Sequence, residues 1–120
     1  MENCDLKSEL AYFYGTESWH RVSHTGVLAS DGILHLSEKA GAFWLVDAIG
    51  SYLPDIIRTG DRMATCKLQK RDNGDWVLSL DTLYKSFKQV IEYSDFPIKQ
   101  ITLFLCDNGF AWCLMLPSEY

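Results

Sequence analysis

The segment from Ala40 to Leu53, AGAFWLVDAIGSYL, limits the folds open to this chain more than any other stretch. Asp47 is its only charged residue. An amphipathic surface helix keeps one polar side, whereas a helix that is apolar nearly all round has to be covered on more than one side. Ser37 is placed to cap such a helix, and Glu38 falls in the first turn, where the helix dipole favours negative charge. The reading is one long buried helix over about 38–53 that stops before Pro54, followed by a short helical turn from Asp55 to Arg58. Gly41 and Gly50 inside the long helix each cost about 1 kcal/mol relative to Ala. That cost is tolerable where another part of the chain packs closely against them.

What covers this helix reads as sheet. Residues 20–36 form a predicted hairpin: HRVSHTGVLAS is rich in β-branched residues, and ILHL follows a turn at Ser30-Asp31-Gly32. Gly26 marks a bulge or a close backbone approach. A second hairpin spans 62–81, and its register follows from its faces. A two-residue loop at Asn73-Gly74 sets Leu68 opposite Ser79 and leaves no clean apolar face. A three-residue loop, Asp72 to Gly74, sets Leu68 opposite Leu78 and Cys66 opposite Leu80, with Gly74 in the left-handed position. FKQVIEYS is a further strand with Phe87, Ile91 and Tyr93 on one side. ITLFLC and FAWCLML form a hairpin over 100–116 around Asp107-Asn108-Gly109; both faces are apolar, so the register stays open and the strands lie in the middle of the sheet or are covered on both faces. A short N-terminal helix is predicted from a cap at Asp5, with Leu6, Leu10 and Phe13 at helical spacing and Gly15 ending it. The fold class is α+β, a mainly antiparallel sheet with one long buried helix, in a single domain of 120 residues.

The net charge of −5 and the lack of a basic aromatic stripe argue against a nucleic-acid partner. No apolar run reaches the roughly 18 residues that span a bilayer, so no membrane partner is expected. Cys4, Cys66, Cys106 and Cys113 include no CxxC pair and no zinc-finger spacing to a His. The start, MENCDLKSEL, lacks the basic-then-apolar pattern of a signal peptide. Reduced thiols in a cytoplasmic protein are expected, with the last three cysteines acting as small apolar residues.

The candidate site residues cluster in GTESWHRVSHTG, which holds His20 and His24 beside Glu17 and Trp19. On a strand, histidines four residues apart share a face but lie about 13 Å apart at ~3.3 Å per residue. One ion cannot take both, so no metal site and no cofactor are expected; His35, on the partner strand, is the residue placed to approach one of them. Asp47 is expensive to bury unpaired. It is read either as a polar-edge residue or as the partner of His20 or His24 in an acid–base pair. The weak catalytic candidates are therefore His20, His24, Asp47 and Glu17. Trp19, Phe43 and Trp44 are binding candidates because aromatic side chains concentrate at interfaces. Tyr120 joins them at the end of an LPSEY tail that is read either as disordered, the usual state of a chain end, or as docked through Tyr120. There is no GxSxG, Walker-type loop, GxGxxG or HExxH.

GTESWHR, SDGILHLSEKAGAFWLVDAIGSY, IEYSDFPIKQITL and MLPSEY occur in this order, and together they resemble an uncharacterised family of small bacterial proteins also met on plasmids and in phages. Phe43 stands where that family usually has Tyr, Ser94 where it has Thr, and Ile98 where it has Leu. The resemblance implies no activity that transfers to these residues; it implies a mobile-element accessory role. The leading expectation is a non-enzymatic protein-interaction or accessory factor. Its partner is another protein, or a second copy bound through the apolar helix or an edge strand. The alternative is a small enzyme or ligand-binding domain whose aromatic-lined pocket holds His20, His24 and Asp47.

Overall fold

The computed structural model describes residues 18–92 and 94–120; the helix expected from Asp5, with Cys4, Glu17 and Tyr93, lies outside them. Among the described residues seven strands form one sheet: β1 (His20–Arg21), β2 (Leu28–Ala29), β3 (Met63–Lys70), β4 (Trp76–Asp81), β5 (Ser86–Ile91), β6 (Gln100–Asp107) and β7 (Trp112–Met115). Their spatial order is β1-β2-β7-β6-β3-β4-β5. Three helices fall between β2 and β3: α1 (Asp31–Ala40), α2 (Phe43–Gly50) and α3 (Leu53–Thr59). The architecture is α+β with the sheet dominant.

The β3–β4 hairpin has the register that its apolar face demands, Leu68 opposite Leu78 and Cys66 opposite Leu80. Arg71 N–H donates to the Asp75 carbonyl at 2.6 Å and Gly74 N–H to the Arg71 carbonyl at 3.0 Å. Gly74 takes φ 93°, the left-handed conformation that closes a three-residue loop. β6 and β7 pair around the expected turn, and β6 is the central strand. One sheet face carries Cys66, Leu68, Leu78, Leu80, Leu103 and Leu105 against Ile33, Leu36, Leu45, Ile49 and Ile56 of the helices. On the other, Cys106, Cys113 and Met115 form a second cluster with Trp19, Leu28 and Phe104.

Three expectations are corrected. The sheet is mixed, because β2 runs parallel to β7, Leu28 beside Cys113 and Ala29 beside Leu114. β2 feeds directly into helix, so its partner has to arrive after a long crossover. ILHL is not the second arm of a 20–36 hairpin but the first turns of α1, and β1 pairs only with Leu28–Ala29. Ser30 is the cap, its Oγ accepting from Ile33 N–H at 3.1 Å, while Ser37 is buried inside the helix. The long helix over 38–53 is broken. Gly41, at φ 61°, ends α1, with Ala42 N–H donating to the Ser37 carbonyl at 2.9 Å. Pro54 sits in the first turn of α3, where its missing N–H costs nothing. Gly50 is the expected close approach, since a Cβ there would collide with Thr25 Oγ1.

The start of α1 is tied to the end of the chain. After β7, Pro117–Glu119 make one 3₁₀ turn. The buried Glu119 carboxylate accepts from Ser30 Oγ–H at 2.6 Å, Gly32 N–H at 3.0 Å and Leu116 N–H at 3.0 Å. Gly32 leaves room for it: a Cβ would lie 2.6 Å from both Glu119 Oε1 and Leu116 Cδ1. Helix propensity alone predicts that Gly32→Ala stabilises by about 1 kcal/mol. The packing reverses the sign, and a loss of about 1–3 kcal/mol is expected in urea unfolding. A stabilised variant would contradict the seating of Glu119.

Candidate functional site

β1 places His20 opposite Ala29, two residues before Asp31. Asp31 occupies the first turn of α1, where the helix dipole favours a carboxylate. His20 Nε2 lies 2.8 Å from Asp31 Oδ1, both side chains being mostly buried. The loop after β1 is built around Ser23, whose Oγ accepts from Thr25 N–H at 3.2 Å and lies 2.7 Å from Thr25 Oγ1. Gly26 completes it at φ 91°. Thr25 packs on Gly50 of α2, and this seats His24 over Asp47, with Nδ1 3.7 Å from Asp47 Oδ1. That separation is a charge contact and too long for a hydrogen bond, so Asp47 Oδ1, shielded from water, has no hydrogen-bond partner. His24 is 85% exposed and Asp47 44% exposed, which leaves the attraction screened and weak.

The histidines therefore belong to two separate His–Asp pairs. His20 meets Asp31 and not Asp47, and His35 lies on α1 instead of a partner strand. Trp19 packs in the Cys106–Cys113–Met115 cluster. Trp44 packs on the main core, edge-on to Phe96 with ring centroids 6.5 Å apart. It lines a shallow depression of about 350 Å³ with Ile91, Ser94 and Asp95. Phe43 is partly exposed at the start of α2. Among the described residues His20 and His24 pair with different carboxylates, Asp31 and Asp47, and Trp19 and Trp44 pack in different clusters. Among the described residues no three His, Cys, Asp or Glu side chains are grouped to hold a metal ion.

The tail docks, but through Glu119. Tyr120 stays exposed, its ring edge-on to Phe104 at 5.4 Å. Ser30, Asp31, His20 and Glu119 give the α1 start the residue types of a hydrolytic centre without its access. Ser30 is fully buried, its proton is given to Glu119, and its lone pair accepts from Ile33. The sequence does carry a signal for Glu119: Glu three residues after Leu116, with Pro117 between, is the second half of a capping box.

A second set of residues went unread in the sequence. β4 and β5 are joined by a turn in which Leu83 is 81% and Tyr84 73% exposed. The turn is held by four hydrogen bonds. Thr82 N–H and Oγ–H donate to the Lys85 carbonyl at 2.8 and 2.9 Å, and Lys85 N–H donates to Thr82 Oγ1 at 2.9 Å. Leu83 N–H donates to Asp61 Oδ2 at 2.6 Å. Tyr84 and Lys85 line one depression with Asp55, Arg58 and Thr59 of α3 and its end, and Ile57 is exposed on the same helix.

The profile of a family of unknown function, DUF6876, matches residues 4–120. No curated protein and no solved structure matches the chain.

The buried thiols of β3, β6 and β7 give the sheet a pH signature. Burial pushes Cys66 and Cys106 up, and pushes Cys113 up to about 11 from 9.0. The folded chain holds Cys113 protonated where the unfolded chain has released that proton. The resulting stability is complete below about pH 9 and is lost as pH rises through 11. Unfolding free energy is expected to fall across that window, less steeply in Cys113→Ala; equal slopes would contradict the burial of this thiol.

Proposed function

The chain belongs to the family of unknown function DUF6876, and we propose that it is a non-enzymatic accessory factor of the cytoplasm that works by binding protein. The observation that carries this reading is the β4–β5 turn. Two large side chains, Leu83 and Tyr84, stand out in water on a turn closed by hydrogen bonds to Lys85 and Asp61. Ordering a loop costs roughly 1–2 kcal/mol per residue. An ordered loop that displays apolar surface has already met that cost before a partner arrives, which is how preorganised binding surfaces gain affinity. Tyr84 with the neighbouring Arg58 supplies residue types that dominate binding hot spots.

The surroundings support the same reading. β5 is an edge strand with exposed residues along most of its length, and strand addition to such an edge is a common mode of protein recognition. The enzyme alternative needs His20, His24 and Asp47 in one pocket, and their division into two pairs counts against it.

The test is capture from an extract of the native host. Wild-type protein is expected to retain a specific protein, or a differently tagged copy of itself. Leu83→Asp with Tyr84→Asp is expected to lose it with stability changed by less than about 0.5 kcal/mol, while His20→Asn and Asp47→Asn still retain it. Identical capture by the turn variant would overturn the reading.

A further inference from the structure

The two ends of the sheet are treated differently. β1 closes one end with two residues, too short to template another strand. β5 closes the other with six residues, SFKQVI, without proline or bulge, in an unbroken ladder with β4 from Trp76 opposite Ile91 to Asp81 opposite Ser86. Resting on the reading of this end as a protein-binding surface, we propose that β5 pairs with β5 of a second copy of the chain, antiparallel, about a two-fold axis through Gln89.

The backbone decides which groups are free. Thr82 N–H bonds the Lys85 carbonyl, and in an antiparallel ladder hydrogen-bonded pairs alternate. Phe87, Gln89 and Ile91 therefore spend their backbone groups on β4, and Ser86, Lys88 and Val90 point theirs outward. The turn of the neighbouring hairpin agrees: Arg71 bonds Asp75, so Trp76, Leu78 and Leu80 are the residues of β4 that face β5. A second strand finds Lys88 and Val90 ready to exchange N–H···O=C bonds reciprocally with Val90 and Lys88 of the copy.

The side chains select the register. Phe87, Gln89 and Ile91 lie on the helix-covered face, opposite Leu80, Leu78 and Trp76; Lys88 and Val90 lie on the other. A copy that continues the sheet with its helices on the same side has to match each face with itself, so the axis passes through a residue. An axis at Lys88 opposes two ammonium groups, which is destabilising. An axis at Val90 leaves Ser86, Phe87 and Lys88 all opposite residues beyond the end of β5, whereas an axis at Gln89 keeps the pairing from Phe87 to Ile91 within the strand. At Gln89 the pairing sets Phe87 against Ile91 of the copy on both sides of the axis. It also puts Lys88 one diagonal step from Glu92, within reach of a long side chain.

Sedimentation equilibrium of the full chain tests this. The wild type is expected to dimerise. Val90→Pro removes an outward N–H that β4 does not use and is expected to give a folded monomer. Lys88→Glu and Glu92→Lys are each expected to weaken the dimer about tenfold, and the double reversal to restore it. Should Val90→Pro unfold by circular dichroism, the charge series alone decides. A wild type that stays monomeric throughout, or a dimer indifferent to the charge series, would overturn the proposal. A wild-type monomer that still captures a different protein through Leu83 and Tyr84 would overturn self-pairing while leaving the protein-binding reading intact. Capture insensitive to that turn would overturn the reading itself.

Discussion

The buried carboxylate of Glu119 holds the first helix, the last strand and the end of the chain in one arrangement. Taking a carboxylate out of water costs several kcal/mol unless donors replace the water. Here three donors do so: the Ser30 hydroxyl and the Gly32 amide from the start of α1, and the Leu116 amide from the end of β7. The positive end of the α1 dipole adds to them. Ser30 N–H also donates to the Leu114 carbonyl at 3.0 Å, so the same residue links the helix start to the β7 backbone. The parallel pairing of β2 with β7 is stitched at this point, and the helices reach the sheet face from it.

This contact also explains why some of the fold was legible in the sequence and some was not. The β3–β4 register was legible because it depends on a local turn and on the alternation of Cys66, Leu68, Leu78 and Leu80. The start of α1 was not. Ser30-Asp31-Gly32 suits a turn as well as a cap, and ILHL suits a strand as well as a helix. The partner that decides, Glu119, lies 87 residues beyond Gly32, outside any local window. The break at Gly41 was hidden by its neighbours: the capping pattern at Ser37-Glu38 before it and the apolar run after it read as one helix, although three short helices bury the same residues. The strand expected to carry both histidines is only His20–Arg21 and His24 sits in the turn after it; their partners, Asp31 and Asp47, were set by where α1 and α2 pack.

Two of the segments through which the chain resembles its family meet on this scaffold: SDG and LPSEY come together in the Glu119 contact, and they account for folding before they account for chemistry. The residues proposed to bind, Leu83, Tyr84 and β5, lie at the opposite end of the sheet. The division is physically sensible: the closed end carries the polar network that fixes the topology, and the open end keeps unpaired backbone and apolar side chains for a partner.

The most direct measure of this account is the unfolding free energy of Glu119→Ala, set beside Ser30→Ala and the double variant. A loss of about 3 kcal/mol is expected for Glu119→Ala, because it strands buried donors. The double variant should lose clearly less than the sum, since the two residues share one hydrogen bond. A loss below about 0.5 kcal/mol, or strict additivity, would contradict the central place given to Glu119.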